Sequence, residues 1–381
     1  PEKALNEGMS IFASYFREPL LQQWQKEVDL IDDEFASQRS DTSHRAWDFL
    51  RLQGQGPLSR FWTGSRETLL AHRTSRASRA TDIETALRAY LEGFCSNNTR
   101  VLLFSSLPVE TGRRLLGEHF GAFPVCSAHA AARVILQEPF PSYVLGRHFV
   151  AESPGPPELW IMFSLPSDWK QRESQALELA RYLLEHRLEG GLFRTLTDEG
   201  RRLASSISAS LDEYESAVSA LLFLRLSLTP LGASSLGEVL MVVDDYLRNL
   251  RSATDAEIGN IYSAFGRGRN LTFHFPTVLP NGNSLQQGTT MLDNWRTLGV
   301  GNILAASLVH QQNLSAVRET LSHLSLSNAN TLQLSRHCTG CALDQLHYGG
   351  KYRLDAALPE LLNPATTMRV HVPYCEEQCS G

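Results

Sequence analysis

The sequence predicts an α+β protein made of two related domains, each with an antiparallel-rich sheet and helices packed on one face of that sheet. Three observations predict this class: an internal repeat, apolar runs of strand length, and long intervening segments with apolar residues at helical spacing. The chain has 381 residues, of which 42% are hydrophobic. That length and composition are sufficient for two separate hydrophobic cores.

The internal repeat is the strongest of the three observations. Residues 87–106 align without gaps with residues 317–336. Each copy has an amphipathic helical segment, a polar turn that contains Asn98 or Asn328, and an alternating strand through Leu102 or Leu332. Because the same unit occurs twice at a wide separation, we expect two domains of common design.

Strands and helices are predicted from the period of the apolar residues. Residues 159–165 and 221–228 have the composition of strands, and Arg225 and Ser227 are expected to point outward from the second. Two segments have the i, i+3, i+4, i+7 spacing of an amphipathic helix. Their apolar positions are Ala176, Leu179, Ala180 and Leu183, and Leu236, Val239, Leu240, Val243, Leu247 and Leu250.

A segment rich in carboxylates, residues 22–41, is predicted to be a helix. Seven residues of helix turn through about 700°, which places Glu27 and Glu34 on one face about 10 Å apart along the axis. Val28, Ile31 and Phe35 form the apolar stripe beside them. An acidic run of this kind is usually a solvated helix face, and the residues alone favour that interpretation.

The segment YLLEH, residues 182–186, differs by one residue from the zinc motif H-x-x-E-H. Tyr182 stands where the motif has its first histidine, and the complete motif occurs nowhere in the chain. Tyr182 and Leu183 also fit the apolar stripe of the predicted helix, which favours a structural role for the segment.

Charge and hydropathy exclude two classes of partner. The formal net charge is -6, whereas nucleic-acid binding requires a clustered surplus of Lys and Arg. No apolar run approaches the roughly 18 residues of a membrane span. The sequence begins PEKALNEGMS, without an initiator Met or an apolar leader, so we expect a fragment or a processed chain. The compartment stays open, with the cytoplasm preferred to the periplasm.

Four of the six cysteines lie in two close pairs near the C-terminal end. Cys338 and Cys341 form one pair, and Cys375 and Cys379 form the other. Four thiolates at this spacing could bind zinc tetrahedrally. Chance spacing in polar loops is the alternative, and the risk of false motif matches favours it.

Several segments, taken in order, resemble the pitrilysin and insulin-degrading-enzyme family of zinc peptidases. KEVDLIDDEF, GPLSRFWTGSRETL and LRAYLEGFCSNNTRVLL are similar to the later part of the family's catalytic domain. The segments similar to the following, non-catalytic domain are LWIMFSLP, YLLEHRLEGGLFRTLTDEG, SSISASLDEYES and YGGKYRLDAALP. Within the family, the chain is similar in its divergence to the bacterial branch linked to pyrroloquinoline-quinone synthesis.

The resemblance implies a domain organisation. Residues 1–121 would be the C-terminal part of a catalytic-type domain, 122–141 a linker, and 142–359 the inactive sister domain. Residues 360–381 would be a tail or a linker to a following half.

The resemblance also implies site residues. Glu34 matches the family's zinc-binding glutamate, and Glu27 matches the acid that supports it. Two imidazoles and one carboxylate leave a fourth position open on zinc, as catalysis requires. Both histidines and the general base belong to H-x-x-E-H, which the family carries upstream of the segment that matches Pro1. This chain therefore has one of three ligands.

The second domain is expected to bind peptide. In the family, a glycine-containing turn and a nearby strand edge add the N-terminal part of the substrate as an extra strand. The matching turn is Gly190 and Gly191, although these glycines could instead cap the preceding helix. The matching strand positions are Ser206, Ile207, Ser208, Ala209 and Ser210.

The leading hypothesis is part of a zinc metalloendopeptidase that encloses and cleaves peptides. Zinc would be the cofactor of the complete enzyme, and the fragment alone would be inactive. Its partners would be a peptide substrate and either the remaining half of the same enzyme or a homologous subunit. The alternative is a non-catalytic scaffold or interaction subunit of the same fold.

Overall fold

The computed structural model describes residues 2–19, 21–70, 76–96, 99–125, 138–167, 174–187, 189–197, 201–213, 219–274, 284–304, 308–309 and 312–355. The chain forms two compact units that interleave along the sequence. Unit 1 comprises Pro1–Ser37, Thr63–Val134 and Val278–Leu304, and unit 2 comprises Gln38–Trp62, Ile135–Thr277 and Ala305–Gly381. The predicted linker and tail lie largely outside the described residues, so the domain boundaries stay a prediction.

The described part of unit 1 is helical. Its helices are α1 (Glu2–Arg17), α2 (Trp24–Gln38, whose last residue belongs to unit 2), α4 (Arg66–Leu70), α5 (Arg76–Leu91), α6 (Val109–Phe120) and α12 (Ser284–Leu298). The predicted stripe on α2 is confirmed, because Val28 and Phe35 are buried and Ile31 is half-buried.

Unit 2 contains a seven-stranded sheet within the described residues. Its strands are β1 (His148–Glu152), β2 (Glu158–Pro166), β3 (Ala204–Glu213), β4 (Ser219–Leu228), β5 (Ala329–Ser335), β6 (Leu343–Asp344) and β7 (Lys351–Asp355). Their order is β3-β4-β2-β5-β1-β7-β6. Only β1 and β5 pair in parallel among these strands. The predicted α+β class and antiparallel-rich sheet are confirmed.

Helices α3, α7 to α11 and α13 complete unit 2. They are α3 (Thr42–Arg51), α7 (Ala176–Glu185), α8 (Leu192–Thr197), α9 (Pro230–Ser234), α10 (Leu236–Ser252), α11 (Asp255–His274) and α13 (Leu314–Ser322). Local capping sets the start of α11: the side chains of Thr254 and Glu257 reciprocally accept each other's backbone N–H, as in a capping box. Among the described residues, none of the helices is both long and apolar enough for a membrane crossing.

The larger hydrophobic core lies between one face of the sheet and helices α7, α10, α11 and α13. It contains the inward residues of β2 and β4, such as Ile161 and Leu224, and all the predicted apolar positions of α7. Arg225 and Ser227 are more exposed than their neighbours on β4, as the alternation predicts. The spacing of apolar residues in the sequence was therefore sufficient to predict which side of α7 and β4 faces this core.

A smaller core covers the opposite face of the sheet. Helix α3 packs Ala46, Phe49 and Leu50 there, against residues that include Phe223 and Leu332. Asp41 caps α3 by accepting the N–H groups of Ser43 and His44. The sequence predicted helices on one face of the sheet only, so the packing of α3 on the opposite face was not predicted.

The two copies of the repeat differ in structure. In the second copy, α13 leads through the turn at Asn328 into β5, as predicted. In the first copy, α5 forms but residues 99–104 are not in a strand, and Asn98 lies outside the described residues. A strand exists only through its pairing partners, and no strand is described in unit 1 to supply them.

Candidate functional site

The predicted metal-binding carboxylates lie on α2. Glu27 and Glu34 are both exposed on this helix, seven residues apart. Two acids of the same run contact the start of α4. Asp32 accepts the backbone N–H of Arg66 at 2.8 Å, and Asp29 forms an ion pair with the Arg66 side chain. The acids beside Glu27 and Glu34 therefore help to hold α4 against α2.

The described residues do not by themselves make a zinc site. Among them, no three His, Cys, Asp or Glu side chains lie close enough together to hold a metal ion. Glu34 is one carboxylate, whereas catalytic zinc needs three protein ligands. The described residues therefore supply too few ligands to hold catalytic zinc by themselves.

The cysteine pair at Cys338 and Cys341 is joined as a disulfide. Both sulfur atoms lie near the carbonyl oxygen of Val150, at 3.8 and 3.4 Å. A disulfide offers no thiolate to a metal, so this pair does not supply half of a four-thiolate site. Cys375 and Cys379 lie outside the described residues.

The YLLEH segment ends helix α7 and continues one residue beyond it. The ring of Tyr182 packs edge to face on the ring of His186, with centroids 5.0 Å apart, and lies 5.5 Å from the ring of Phe265. Burial lowers the pKa of His186, and its Nδ1 atom has no hydrogen-bond partner among the described residues. The two positions that hold metal in H-x-x-E-H therefore form an aromatic contact in this chain.

Glu185, at the glutamate position of the segment, has two partners. One carboxylate oxygen forms an ion pair with Arg181 at 2.6 Å. The other oxygen, Oε1, accepts the backbone N–H of Ala209 in β3 at 2.7 Å. A carboxylate held in this way acts as a structural acceptor that joins α7 to the edge of the sheet.

The two glycines of the predicted peptide site lie in the turn after α7. Gly190 has a φ of +79°, a conformation that favours glycine. Gly191 begins α8 by accepting the N–H of Thr195. Since α7 ends at Glu185, these glycines do not cap α7, and that local alternative is wrong.

The predicted strand positions lie on β3, which forms one edge of the sheet. Their side chains alternate: Ile207 and Ala209 are buried in the larger core, whereas Ser206, Ser208 and Ser210 are exposed. Ser206 also contacts Ser227 across the strand pair, with hydroxyl oxygens 2.8 Å apart. One face of this edge strand is therefore packed in the larger core, and the other face is polar and exposed.

The N–H groups of β3 also alternate in direction, and this determines which of them point to the edge that is not paired with β4. N–H groups of successive residues point to opposite edges of a strand. Because the N–H of Ala209 points away from β4 to Glu185, the N–H groups of Ile207 and Leu211 point the same way. Neither of those two N–H groups donates a hydrogen bond to a described residue outside the β3–β4 ladder.

The bond between Glu185 and Ala209 was missed by sequence reasoning. The helix pattern placed Glu185 at the end of α7, and the alternating pattern placed Ala209 in a strand. Their separation of 24 residues crosses a turn, a short helix and a loop. No local signal predicts which backbone group such a side chain will reach.

Comparisons with known proteins agree with this fold. Residues 84–263 match a family model described as the peptidase M16 inactive domain. The crystal structure of pitrilysin superposes with a TM-score of 0.79 and 20% identity over 93% of this chain. A protease from Helicobacter pylori gives 0.61, with 16% identity over 87% of this chain and 77% of its own.

The first half of the periplasmic protease PqqL from Escherichia coli also superposes. Its TM-score is 0.61, with 13% identity over 88% of this chain and 71% of its own. No protein of curated function matches the sequence. The predicted resemblance to the pitrilysin family is confirmed by the match of residues 84–263 to the M16 inactive-domain model and by the fold shared with pitrilysin. It spans 37% of the length of pitrilysin.

Proposed function

We propose that this chain is part of a zinc metalloendopeptidase, in which unit 2 binds and positions peptide and the chemistry depends on residues outside this chain. Support comes from the M16 inactive-type domain, from the fold shared with pitrilysin, and from the incomplete YLLEH segment. In this proposal Glu34 is the one zinc ligand supplied by the chain, and Glu27 orients the ligands around it. The chain alone is inactive.

The position of β3 at one edge of the described sheet is the observation that carries the peptide-binding role. A peptide added as a strand would pair with the outward groups of Ile207, Ala209 and Leu211, and would lie beside the exposed Ser206, Ser208 and Ser210 on that strand. Backbone pairing gives affinity with little demand on peptide sequence. The turn at Gly190 and Gly191 would border the same site.

Hydrogen exchange on the full-length protein tests this role. A ten-residue extended peptide is expected to slow exchange at the amides of Ile207 and Leu211. A matched peptide with alternate N-methylated amides cannot pair and is the control. If the unmodified peptide binds without protecting those amides, strand addition at β3 is refuted.

A substitution at Glu34 tests the metal-binding role. In the full-length protein, Glu34→Gln is expected to lower both bound zinc and peptide cleavage, because one of three protein ligands is lost. Asp33→Asn removes an adjacent exposed acid on the same helix and is the matched control. Unchanged zinc content in Glu34→Gln would refute the assignment, and an equal loss in both variants would assign the effect to helix charge.

The second candidate is a non-catalytic scaffold or interaction subunit of the same fold. The contact between Tyr182 and His186 at the motif positions agrees with a scaffold, and it agrees equally with the inactive sister domain of an enzyme. The full-length coding sequence separates the two: H-x-x-E-H upstream of Pro1 supports the enzyme, and a full-length protein without that motif supports the scaffold. In either case the partner would be the remaining half of the same enzyme or a homologous subunit.

A further inference from the structure

The edge of β3 is already occupied at its centre. Among the three outward N–H groups of Ile207, Ala209 and Leu211, the middle one donates to Glu185 at 2.7 Å. Incoming strands pair with alternate residues of the edge. A peptide in register with all three positions therefore has to replace the carboxylate at Ala209 with one of its own carbonyl oxygens.

Glu185 is held firmly in this position. Its second oxygen pairs with Arg181 at 2.6 Å, and Arg181 also pairs with Glu178 at 3.0 Å. All three side chains belong to α7 and are about two-thirds buried. Because the helix and the ion pair orient the carboxylate before any peptide arrives, little side-chain entropy opposes its bond to Ala209.

A carboxylate is well suited to imitate a strand partner at one position. It accepts hydrogen bonds and donates none when ionised, and a bond from an N–H to a charged acceptor is stronger than one to a neutral carbonyl. It also protects the edge, since unpaired edge strands invite unwanted pairing between molecules. Glu185 thus has the chemistry both to cap β3 and to oppose a peptide.

We propose that Glu185 is a self-cap of β3, a built-in competitor that a peptide must displace before it can add as a strand. This inference rests on the proposed peptide-binding function of the same edge. When a peptide displaces the cap, Glu185 keeps its ion pair with Arg181, so release breaks one hydrogen bond and leaves the carboxylate paired. The cap therefore sets the affinity of the edge without blocking it.

Variants at Glu185 test the cap in the full-length protein. The probe is a fluorescein-labelled ten-residue peptide of alternating Thr and Val with terminal lysines, and its affinity is measured by fluorescence anisotropy. Glu185→Ala is expected to bind about tenfold more tightly than the wild type, which corresponds to about 1.4 kcal/mol. Glu185→Gln keeps the size of the side chain but weakens the acceptor, so a smaller gain is expected.

Glu178→Ala is the matched control. Glu178 also pairs with Arg181 but accepts no hydrogen bond from β3 among the contacts described. Its removal should leave peptide affinity unchanged, whereas a gain equal to that of Glu185→Ala would assign the effect to Arg181 and refute the cap. Thermal unfolding of each variant verifies that it folds.

Two further outcomes separate the cap from the peptide site itself. If the peptide protects the amides of Ile207 and Leu211 in the wild type but Glu185→Ala binds no more tightly, the self-cap is refuted and the peptide site stands. If the peptide protects those amides in neither protein, the proposed function of the edge fails, and the self-cap fails with it.

Discussion

Asp48 on α3 should make the stability of unit 2 depend on pH. The side chain is 1% exposed, and neither carboxylate oxygen has a hydrogen-bond partner of ordinary geometry among the described residues. Burial raises the pKa of Asp48 from 3.8 to about 6, against the opposing effects of Arg51, the Trp62 N–H and His44. The Trp62 N–H lowers this pKa as a nearby donor, yet it does not meet hydrogen-bond geometry.

The direction of the pH effect follows from the raised pKa. The folded protein binds the Asp48 proton more tightly than the unfolded chain, so this group destabilises unit 2 progressively as pH rises from about 4 to about 6. Above that range the full effect is present. A difference of about two pKa units corresponds to about 3 kcal/mol at 1.36 kcal/mol per unit.

Asp48→Asn is the perturbation that isolates this effect. The amide stays neutral, so the variant is expected to be more stable than the wild type by up to about 3 kcal/mol at pH 7.5. The pKa of about 6 already includes the attraction to Arg51, so this gain is net of that attraction. At pH 4 the wild-type acid is protonated, and the difference should be close to zero.

Urea unfolding of both proteins at pH 4 and pH 7.5 measures the effect. Glu189→Gln, which neutralises an exposed acid of unit 2, should change stability little at either pH. If Asp48→Asn has the same effect at both pH values, the reasoning about its burial is wrong.

The remaining predictions concern an ion pair and a turn. Glu158 is 1% exposed and lies 2.5 Å from the Arg225 guanidinium, so Arg225→Met leaves a buried carboxylate without its cation. The free energy of unfolding should fall by about 3–5 kcal/mol. In urea unfolding, the double variant Arg225→Met/Glu158→Gln should regain part of that stability, because the buried charge is removed as well. A loss below about 1 kcal/mol in Arg225→Met would contradict this role for the pair. Gly190→Ala places a Cβ at a φ of +79° and should lower stability by about 1 kcal/mol; Gly301→Ala, at a glycine with open space and no positive φ, is the control. Equal stability in the two glycine variants would show that the turn tolerates a side chain.

Several strands and helices of unit 2 were predictable from their residues. Alternation on β4 and helical spacing on α7 and α10 each assign a buried face, because one period fits only one backbone geometry. The same reasoning failed for residues 99–104, which have the alternating pattern but no described strand partner. An apolar pattern shows that a segment can be a strand, and only its neighbours decide whether it becomes one.

The candidate site was predictable only in part. Sequence resemblance pointed to β3 and to the glycine turn, and the structure places β3 at an edge. The occupied N–H of Ala209 could not be predicted, since it depends on where the last turn of α7 lies relative to the sheet. The burial of Asp48 was missed for the same reason, because it depends on tertiary packing around α3.

By itself, the sequence determined the α+β class, the faces of the main elements, and the loss of H-x-x-E-H at residues 182–186. These properties are local: they depend on the identity and spacing of side chains along a few turns or a single strand. Tertiary structure alone decided that α3 covers the second face of the sheet and that Glu185 caps β3. Both depend on contacts between residues distant in the chain, whose geometry is fixed only when the whole unit packs.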